Sequence, residues 1–225
     1  MNRFYVLLGV VAIGAAAMLW YGTQTKGAGS AGQGGATAVQ VSSADRAFRG
    51  YTLGSDSAPV EVVEFADFQC PHCGEFATVQ FPTIRAQLIA TGRLRWRFRD
   101  YPLGFPWSRI AASAAQCAGE QGKFWPMADS LFSTQPDWGA SRKDPSSRFR
   151  DLARAIGASD DAYTTCMDTH KFAGRIEASH QEGDARGVTG TPTFFVGDVE
   201  LDTRTFNNSD AFKTLVDSLT ARRKR

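Results

Sequence analysis

The sequence lacks an excess of charge of either sign. Its 25 lysines and arginines nearly balance 23 aspartates and glutamates, which gives a formal charge of +2. Four of the basic residues form the chain end, residues 222–225, and a short basic run at a terminus is usually a solvated tail. The charge balance therefore predicts no nucleic acid as a partner.

The chain also has few residues that could hold a metal ion. It contains three histidines, and two of them, His170 and His180, have no metal-like spacing. A structural zinc site needs four ligands, commonly two Cys-x-x-Cys pairs. One such pair is present, Cys70 with Cys73, and the other two cysteines stand alone. Neither a metal ion nor a cofactor is therefore expected.

Charged residues are absent from the N-terminal segment 4–25, and residues 5–21 are almost continuously apolar. That length is close to the roughly 20 residues that cross a bilayer core. We therefore predict a single-pass signal anchor over residues 5–22 and a flexible Gly-rich tether over residues 23–42. A cleaved signal peptide is the alternative, but the apolar run continues past Ala15–Ala17 to a Trp-Tyr pair that suits a membrane interface.

The same segment predicts where the rest of the chain lies. Arg3, within the short leading segment 1–4, favours a cytoplasmic N-terminus. Residues 43–225 would then lie on the periplasmic or extracytoplasmic side of the cell membrane. An even number of cysteines, four, behind an export segment also points to an oxidising compartment.

Residues 43–225 are predicted to form one domain, since 43% of the chain is hydrophobic and can supply a core. A β-branched run at residues 60–65 predicts a buried strand, and apolar residues at helical spacing follow the cysteine pair as far as Gly92. An Ala-rich helical block covers about residues 106–186. After it we expect a hairpin that begins at Thr193 and a last helix capped by Asn208 or Ser209.

A second strand is predicted before the helical block. Leu94, Trp96 and Phe98 alternate with arginines, a period-two pattern that puts apolar residues on one face. The other face carries Arg93, Arg95, Arg97 and Arg99. We expect that face to be wet or covered by charge, and the sequence assigns it no function.

The Cys70-Pro71-His72-Cys73 pair follows a strand and opens a helix. The first turn of a helix has unpaired N–H groups and the positive end of its dipole, so a thiolate there is stabilised. Pro71 fits that turn because it has no N–H to leave unpaired. This position predicts that Cys70 is the nucleophile, that Cys73 is the resolving thiol, and that His72 adds charge or a hydrogen bond.

Structural disulfides are the competing interpretation. A disulfide within Cys-x-x-Cys constrains the unfolded chain by only about 2 kcal/mol, against roughly 4 kcal/mol for a loop near fifty residues. Cys117 with Cys166 is therefore the better structural pair, and two buried free thiols are the alternative.

Several segments together resemble a DsbA-like thiol-disulfide oxidoreductase. They are residues 58–60, Glu64 to Cys73, Ala114 to Ala118, Gln121 to Trp125, and Gly187 to Val196. The resemblance spans about residues 50–220. It implies a thioredoxin-like α/β fold, with a central mixed β-sheet and an inserted α-helical cap.

The resemblance also implies roles for two further sites. Thr191-Pro192 matches the family's cis-proline loop, which lies beside the active cysteines and pairs with substrate backbone. Glu64 matches a buried acid beneath the disulfide, which takes the proton from Cys73. Without the resemblance, Pro192 could be a plain turn proline and Glu64 a solvent-facing strand residue.

We therefore expect a membrane-anchored, monomeric enzyme that introduces disulfides into cysteine-containing exported proteins. The resemblance implies reoxidation by a quinone-linked membrane partner. Thr191 is similar to isomerase and reductase relatives as well as to some Gram-positive-type oxidases, so a reductase or isomerase is the first alternative. A tethered module that binds peptides or metal without turnover is the second.

Overall fold

The computed structural model describes residues 39–202 and 209–223. The predictions for the N-terminus, the signal anchor at 5–22 and most of the tether lie outside these residues, as do Asn208 and the end of the basic run. In the described ranges, no helix combines the length and apolar character needed to cross a membrane.

The strands are β1 (Tyr51–Leu53), β2 (Val60–Ala66), β3 (Leu94–Asp100), β4 (Thr193–Val196) and β5 (Val199–Glu200). The helices are α1 (Ser43–Ala47), α2 (Pro71–Glu75), α3 (Phe81–Ile84), α4 (Ser108–Gly119), α5 (Phe124–Ser133), α6 (Gln135–Trp138), α7 (Ser146–Ala155), α8 (Asp160–Asp168), α9 (Ala173–Ala185) and α10 (Ser209–Arg223). Two π-helical turns, Phe76–Gln80 and Arg85–Ile89, join α2 to α3 and extend α3. Together they make one helical run over residues 71–89.

The strands form one sheet in the order β1-β3-β2-β4-β5. β2 and β3 are parallel, with Val60 opposite Leu94 and Ala66 opposite Asp100, and the other neighbours are antiparallel. The predicted mixed sheet is therefore confirmed. Helices α4 to α9 lie between β3 and β4 in the chain, which confirms the helical insertion.

The sheet packs on both faces. On one face, a core of Val62, Trp96 and Phe194 contacts the 71–89 run, and Phe212 of α10 belongs to the same cluster. On the other face, a smaller cluster forms around Phe65. The cap has its own core, which includes the Ala-rich face of α4 and both cysteines of the Cys-x-x-Cys pair. The pair therefore lies within the packing of the cap and close to the end of the sheet.

The arginine face of β3 is covered by charge. Arg95 and Arg97 pair with Glu61 on the neighbouring strand, and Arg99 pairs with Glu182 of α9. Arg99 is only 2% exposed, and it also donates to the carbonyl of Phe48. Arg99 therefore attaches both the segment before β1 and helix α9, the last helix of the cap, to the sheet.

Two elements at the start of the domain have no counterpart among the predicted elements. Helix α1 begins with a capping box, in which Ser42 and Asp45 cap each other's backbone amides. Strand β1 adds an antiparallel edge to β3. It has three residues and adjoins Gly50, whose φ is +102°, so it is too short to show a period-two pattern.

Candidate active site

Cys70 lies where the chain leaves β2 and enters a helix. It is the N-cap of α2, with φ −69° and ψ 122°. Its amide donates to the carbonyl of Asp67 at 3.1 Å, which closes the turn after β2. Pro71 takes the first helical turn, where a missing N–H costs no hydrogen bond. The sulfur of Cys70 is thus held beside the unpaired N–H groups that begin the helix.

The two thiols of the pair have opposite acid strengths. Both are free and buried, Cys70 at 4% exposure and Cys73 at 0%. Hydrogen bonds from the Cys73 thiol, from Thr191 and from the amides of Cys73 and His72 outweigh burial and lower the pKa of Cys70 to about 5. Burial, together with the neighbouring Cys70 sulfur, raises the pKa of Cys73 well above its ordinary value. Near neutral pH the site therefore holds one thiolate and one thiol.

The loop between α9 and β4 lies against Cys70. Its Thr191–Pro192 peptide bond is cis. The Sγ of Cys70, as a thiol, donates to the carbonyl of Thr191 at 3.3 Å. While Cys70 is a thiol, the buried hydroxyl of Thr191 has no hydrogen-bond partner among the described residues. The thiolate of Cys70 is an acceptor for it, and this is the hydrogen bond from Thr191 that helps to lower the pKa of Cys70. Pro192 is partly exposed, and the loop can therefore meet a partner that approaches the sulfur.

His72 contributes to the acidity of Cys70 through its backbone. Its amide is among the donors that lower the pKa of Cys70. The side chains of Pro71 and His72 are exposed, on the surface that an incoming thiol would meet. The backbone of His72 is therefore one of several donors to Cys70, after the thiol of Cys73, and the predicted contribution of its ring stays a prediction.

Glu64 is buried, so the solvent-facing alternative is wrong. The residue is 4% exposed, and its Oε2 accepts a hydrogen bond from Nε1 of Trp96 at 2.8 Å. By strand alternation it shares a face with Val62, which belongs to the cluster under the 71–89 run. Burial raises the pKa of Glu64 to about 7, although the hydrogen bond from Trp96 opposes the shift. This carboxyl can therefore gain or lose a proton near neutral pH.

Because its folded pKa is raised from 4.5, Glu64 should make stability depend on pH. Below pH 4.5 the carboxyl is protonated in both the folded and the unfolded chain, so its ionisation does not lower the free energy of unfolding. Between pH 4.5 and 7 the unfolded chain loses the proton first, so the free energy of unfolding falls by about 3 kcal/mol. Glu64→Gln keeps an acceptor for Trp96 and removes the ionisation. We expect its stability relative to the wild type to grow by that amount from pH 4.5 to pH 8, measured by urea unfolding.

Glu61→Gln is the matched control for this measurement. Glu61 lies on the same strand, three residues earlier, and pairs with Arg95 and Arg97 at the surface. The Glu61→Gln variant keeps Glu64, so its free energy of unfolding should still fall between pH 4.5 and 7, as in the wild type. A Glu64→Gln variant whose stability relative to the wild type is the same at pH 4.5 and pH 8 would contradict the raised pKa.

Gln135 is a site residue that sequence reasoning missed. Its Nε2 donates to the carbonyls of Phe68 at 2.7 Å and Cys70 at 2.9 Å. Its Oε1 lies so close to Gly74 that a Cβ there would be 2.4 Å away. The side-chain amide of Gln135, at the start of α6, therefore holds the cap against the segment where α2 begins. No sequence pattern could reveal this contact, because it joins positions 65 residues apart.

Asp67 and Gln69 hold the turn that carries Cys70. Asp67 is buried and accepts from the amides of Gln69 and Leu103 and from the hydroxyl of Ser108, all within 2.8 Å. Gln69 accepts from the amide of Trp107 and donates to the carbonyl of Gly139. Each side chain therefore ties the turn to the loop after β3, and Gln69 also ties it to the cap.

The second pair of cysteines forms a disulfide. Cys117 of α4 is bonded to Cys166 of α8, and both residues are buried in the cap core. The disulfide joins two helices that are distant in the chain, as the sequence reasoning favoured over two free thiols. Within the described ranges, no three His, Cys, Asp or Glu side chains are grouped as a metal ion would require.

Comparison with known proteins places this geometry in a family. Residues 48–218 match the sequence model of the thioredoxin family. Disulfide bond formation protein D of Bacillus subtilis is 29% identical over 168 residues, which cover 73% of this chain and 74% of that protein. The crystal structure of oxidised BdbD from Bacillus subtilis superposes with a TM-score of 0.68 and 28% identity, and covers 76% of this chain and 92% of BdbD.

A longer protein also contains a similar region. Na⁺/H⁺ antiporter NhaA 3 of Salinispora tropica is 37% identical over 153 residues, or 66% of this chain. The chain spans 22% of the length of that antiporter.

Proposed function

Because the chain belongs to the thioredoxin family and is DsbA-like in sequence and fold, we propose that it introduces disulfides into exported proteins through Cys70 and Cys73. The observation that carries the proposal is the pairing of a thiol of lowered pKa at a helix start with a buried thiol of raised pKa. Such a pair suits exchange, since the thiolate is the nucleophile and the better leaving group.

In the proposed reaction, the oxidant is a disulfide between Cys70 and Cys73. A substrate thiolate attacks the Sγ of Cys70, which forms a mixed disulfide and releases Cys73, which takes up a proton. A second substrate thiolate then attacks the substrate sulfur of the mixed disulfide. The substrate leaves with a new disulfide and Cys70 leaves as a thiolate. Two electrons pass from two substrate thiols to the protein, and the second proton goes to solvent.

Glu64 and the cis-proline loop have supporting roles in this proposal. When Cys73 later attacks a mixed disulfide during reoxidation, it must lose its proton, and a carboxyl with a pKa of about 7 can accept it near neutral pH. The loop at Thr191-Pro192 contacts Cys70 and is partly exposed, so substrate backbone can pair with it beside the sulfur.

The acidity of Cys70 favours an oxidase. A lowered pKa stabilises the reduced, ionised pair, and stabilising the reduced form makes the disulfide a stronger oxidant. Thr191 before the cis-proline does not decide the direction, because the resemblance there includes isomerases and reductases as well as some oxidases. The two functions differ in reduction potential.

A stoichiometric oxidation assay tests the proposal. The full chain, oxidised and in detergent, is mixed with a reduced dithiol peptide. We expect one peptide disulfide for each protein molecule, and a midpoint against glutathione above about −180 mV. A potential near about −270 mV, the thioredoxin value, would favour the reductase. A folded protein that transfers no disulfide would remove the proposal.

We further propose that residues 5–22 anchor the chain and that the domain works on the periplasmic or extracytoplasmic side. Support comes from the uncharged apolar run and the Gly-rich segment that follows it. A membrane-bound, quinone-linked protein would then reoxidise the pair next to the bilayer.

A further inference from the structure

Tyr101 lies at the end of the sheet that carries the active cysteines. It follows Asp100, the last residue of β3, and its amide donates to the carbonyl of Ala66 at 2.8 Å. The parallel pairing of β2 and β3 therefore continues through the backbone of Tyr101. Its side chain is 6% exposed and belongs to the cluster around Phe65, which is separate from the core of the cap.

The ring of Tyr101 is held on three sides. It meets the ring of Phe65 edge-on, with ring centroids 6.3 Å apart. It also stacks on the imidazole of His180, with centroids 4.4 Å apart and an angle of 1° between the ring planes. The backbone of Gly183 fills the remaining side, where a Cβ would be 2.5 Å from the ring. The position of the hydroxyl is thus fixed by one strand and by helix α9.

The hydroxyl of Tyr101 faces two acceptors. Oδ1 of Asp184 lies at 2.7 Å and the carbonyl of Val188 at 2.8 Å. Val188 is 5% exposed, and among the described residues Tyr101 is the donor to its carbonyl. Burial and Asp184 raise the pKa of Tyr101 to about 12, so the hydroxyl keeps its single proton at neutral pH and shares it between Asp184 and Val188.

Val188 begins the loop that reaches the active site. Its amide donates to the carbonyl of Gly183 near the end of α9. Three residues further on, the carbonyl of Thr191 meets the Sγ of Cys70. Between these points, Gly190 has its carbonyl bonded to the hydroxyl of Thr193. The Tyr101 hydroxyl therefore holds the first residue of this short loop, Val188, and the carbonyl of Thr191 further along the same loop contacts the sulfur of Cys70.

We propose that Tyr101 is a positioning residue, whose hydroxyl holds the Thr191-Pro192 loop at the distance from Cys70 that substrate backbone requires. The inference rests on the proposed function. Tyr101 touches neither the sulfur nor the substrate, and it acts through Val188. His180 stacks on the ring of Tyr101 and Asp184 accepts from its hydroxyl, so the last cap helix and the end of β3 together fix the loop.

Tyr101→Phe keeps the ring and removes the hydroxyl. In steady-state oxidation of the dithiol peptide with oxidised glutathione, we expect KM to rise about five-fold, or about 1 kcal/mol, while kcat stays within about two-fold because Cys70 remains at its helix start. Tyr163→Phe is the matched control. Tyr163 is also buried, but its hydroxyl has no hydrogen-bond partner among the described residues, so its loss should leave KM unchanged.

Asp184→Asn separates positioning from general stability. An asparagine amide can donate to the Tyr101 oxygen and leave its proton for Val188, so we expect a KM near that of the wild type. If Tyr101→Phe and Asp184→Asn raise KM equally, or if Tyr101→Phe lowers the melting temperature with no change in KM, the inference is wrong.

A readout without turnover distinguishes failure of the inference from failure of the proposed function. Amide hydrogen exchange over residues 188–193 should speed up at least about ten-fold in Tyr101→Phe and remain unchanged in Tyr163→Phe. Equal exchange in both variants would overturn the inference even if the wild-type protein oxidised no peptide. Peptide oxidation by the wild type, with unchanged KM in Tyr101→Phe, would overturn the inference alone.

Discussion

Replacing Cys70 by serine should abolish the oxidation of a dithiol peptide, with a loss of at least about a thousandfold, down to the rate in buffer. A serine hydroxyl is not ionised near neutral pH and cannot form the mixed disulfide through which exchange proceeds. The donors around the Cys70 sulfur stabilise a thiolate, and a neutral hydroxyl makes no use of them. The measurement is peptide disulfide formed per minute with glutathione as the terminal oxidant.

Two controls separate catalysis from folding in this experiment. Cys70→Ser leaves the Cys117–Cys166 disulfide untouched, since both of those cysteines pair within the cap, so the variant should keep its far-ultraviolet circular dichroism. Cys73→Ser leaves an acidic thiol at position 70 without its resolving partner. With oxidised glutathione as the oxidant and a peptide that has a single cysteine, and so no second thiol to resolve the intermediate, it should accumulate a mixed disulfide with the peptide, visible by mass.

The Cys70→Ser substitution also distinguishes an enzyme from a binding module. A protein that only holds peptides would still bind them after Cys70→Ser. Peptide disulfide formation by a folded Cys70→Ser variant at a rate near that of the wild type would contradict the assignment of Cys70 as the nucleophile.

Local features of the sequence were sufficient to predict the part of the site that lies within one strand and one helix. The apolar run before the pair predicted β2, and Pro71 at the helix start predicted the position of Cys70. Both depend on contacts within a few residues, since a helix terminus and its first turn are local. The alternation of Leu94, Trp96 and Phe98 predicted β3 in the same way.

The burial of Glu64 and the cis bond at Thr191-Pro192 could not be predicted from local features of the sequence. A single acid in an apolar strand is compatible with either face of the sheet until the register is known. Likewise, a Thr-Pro pair at a strand start does not reveal a cis bond. Family resemblance implied both features, and the structure has Glu64 bonded to Trp96 and the peptide bond in the cis form.

The contacts that fix the site across the chain could not be predicted. Gln135 reaches Phe68 across 67 positions, and Tyr101 reaches Val188 across 87. Neither leaves a periodic or local signal, because each depends on how the cap returns to the sheet. The burial of Arg99 escaped prediction for the same reason, since Glu182 and the carbonyl of Phe48, which bind its guanidinium, belong to distant segments.

Alkylation of the reduced protein against pH tests the central claim, that the helix start and its donors hold Cys70 ionised. Cys73 is buried with a raised pKa and Cys117 and Cys166 are bonded to each other, so iodoacetamide should report on Cys70 first. We predict that the rate of the first alkylation reaches half its maximum at pH about 5. A half-maximum near about 8.5, the value for free cysteine, would contradict the account and leave the pair as an ordinary dithiol.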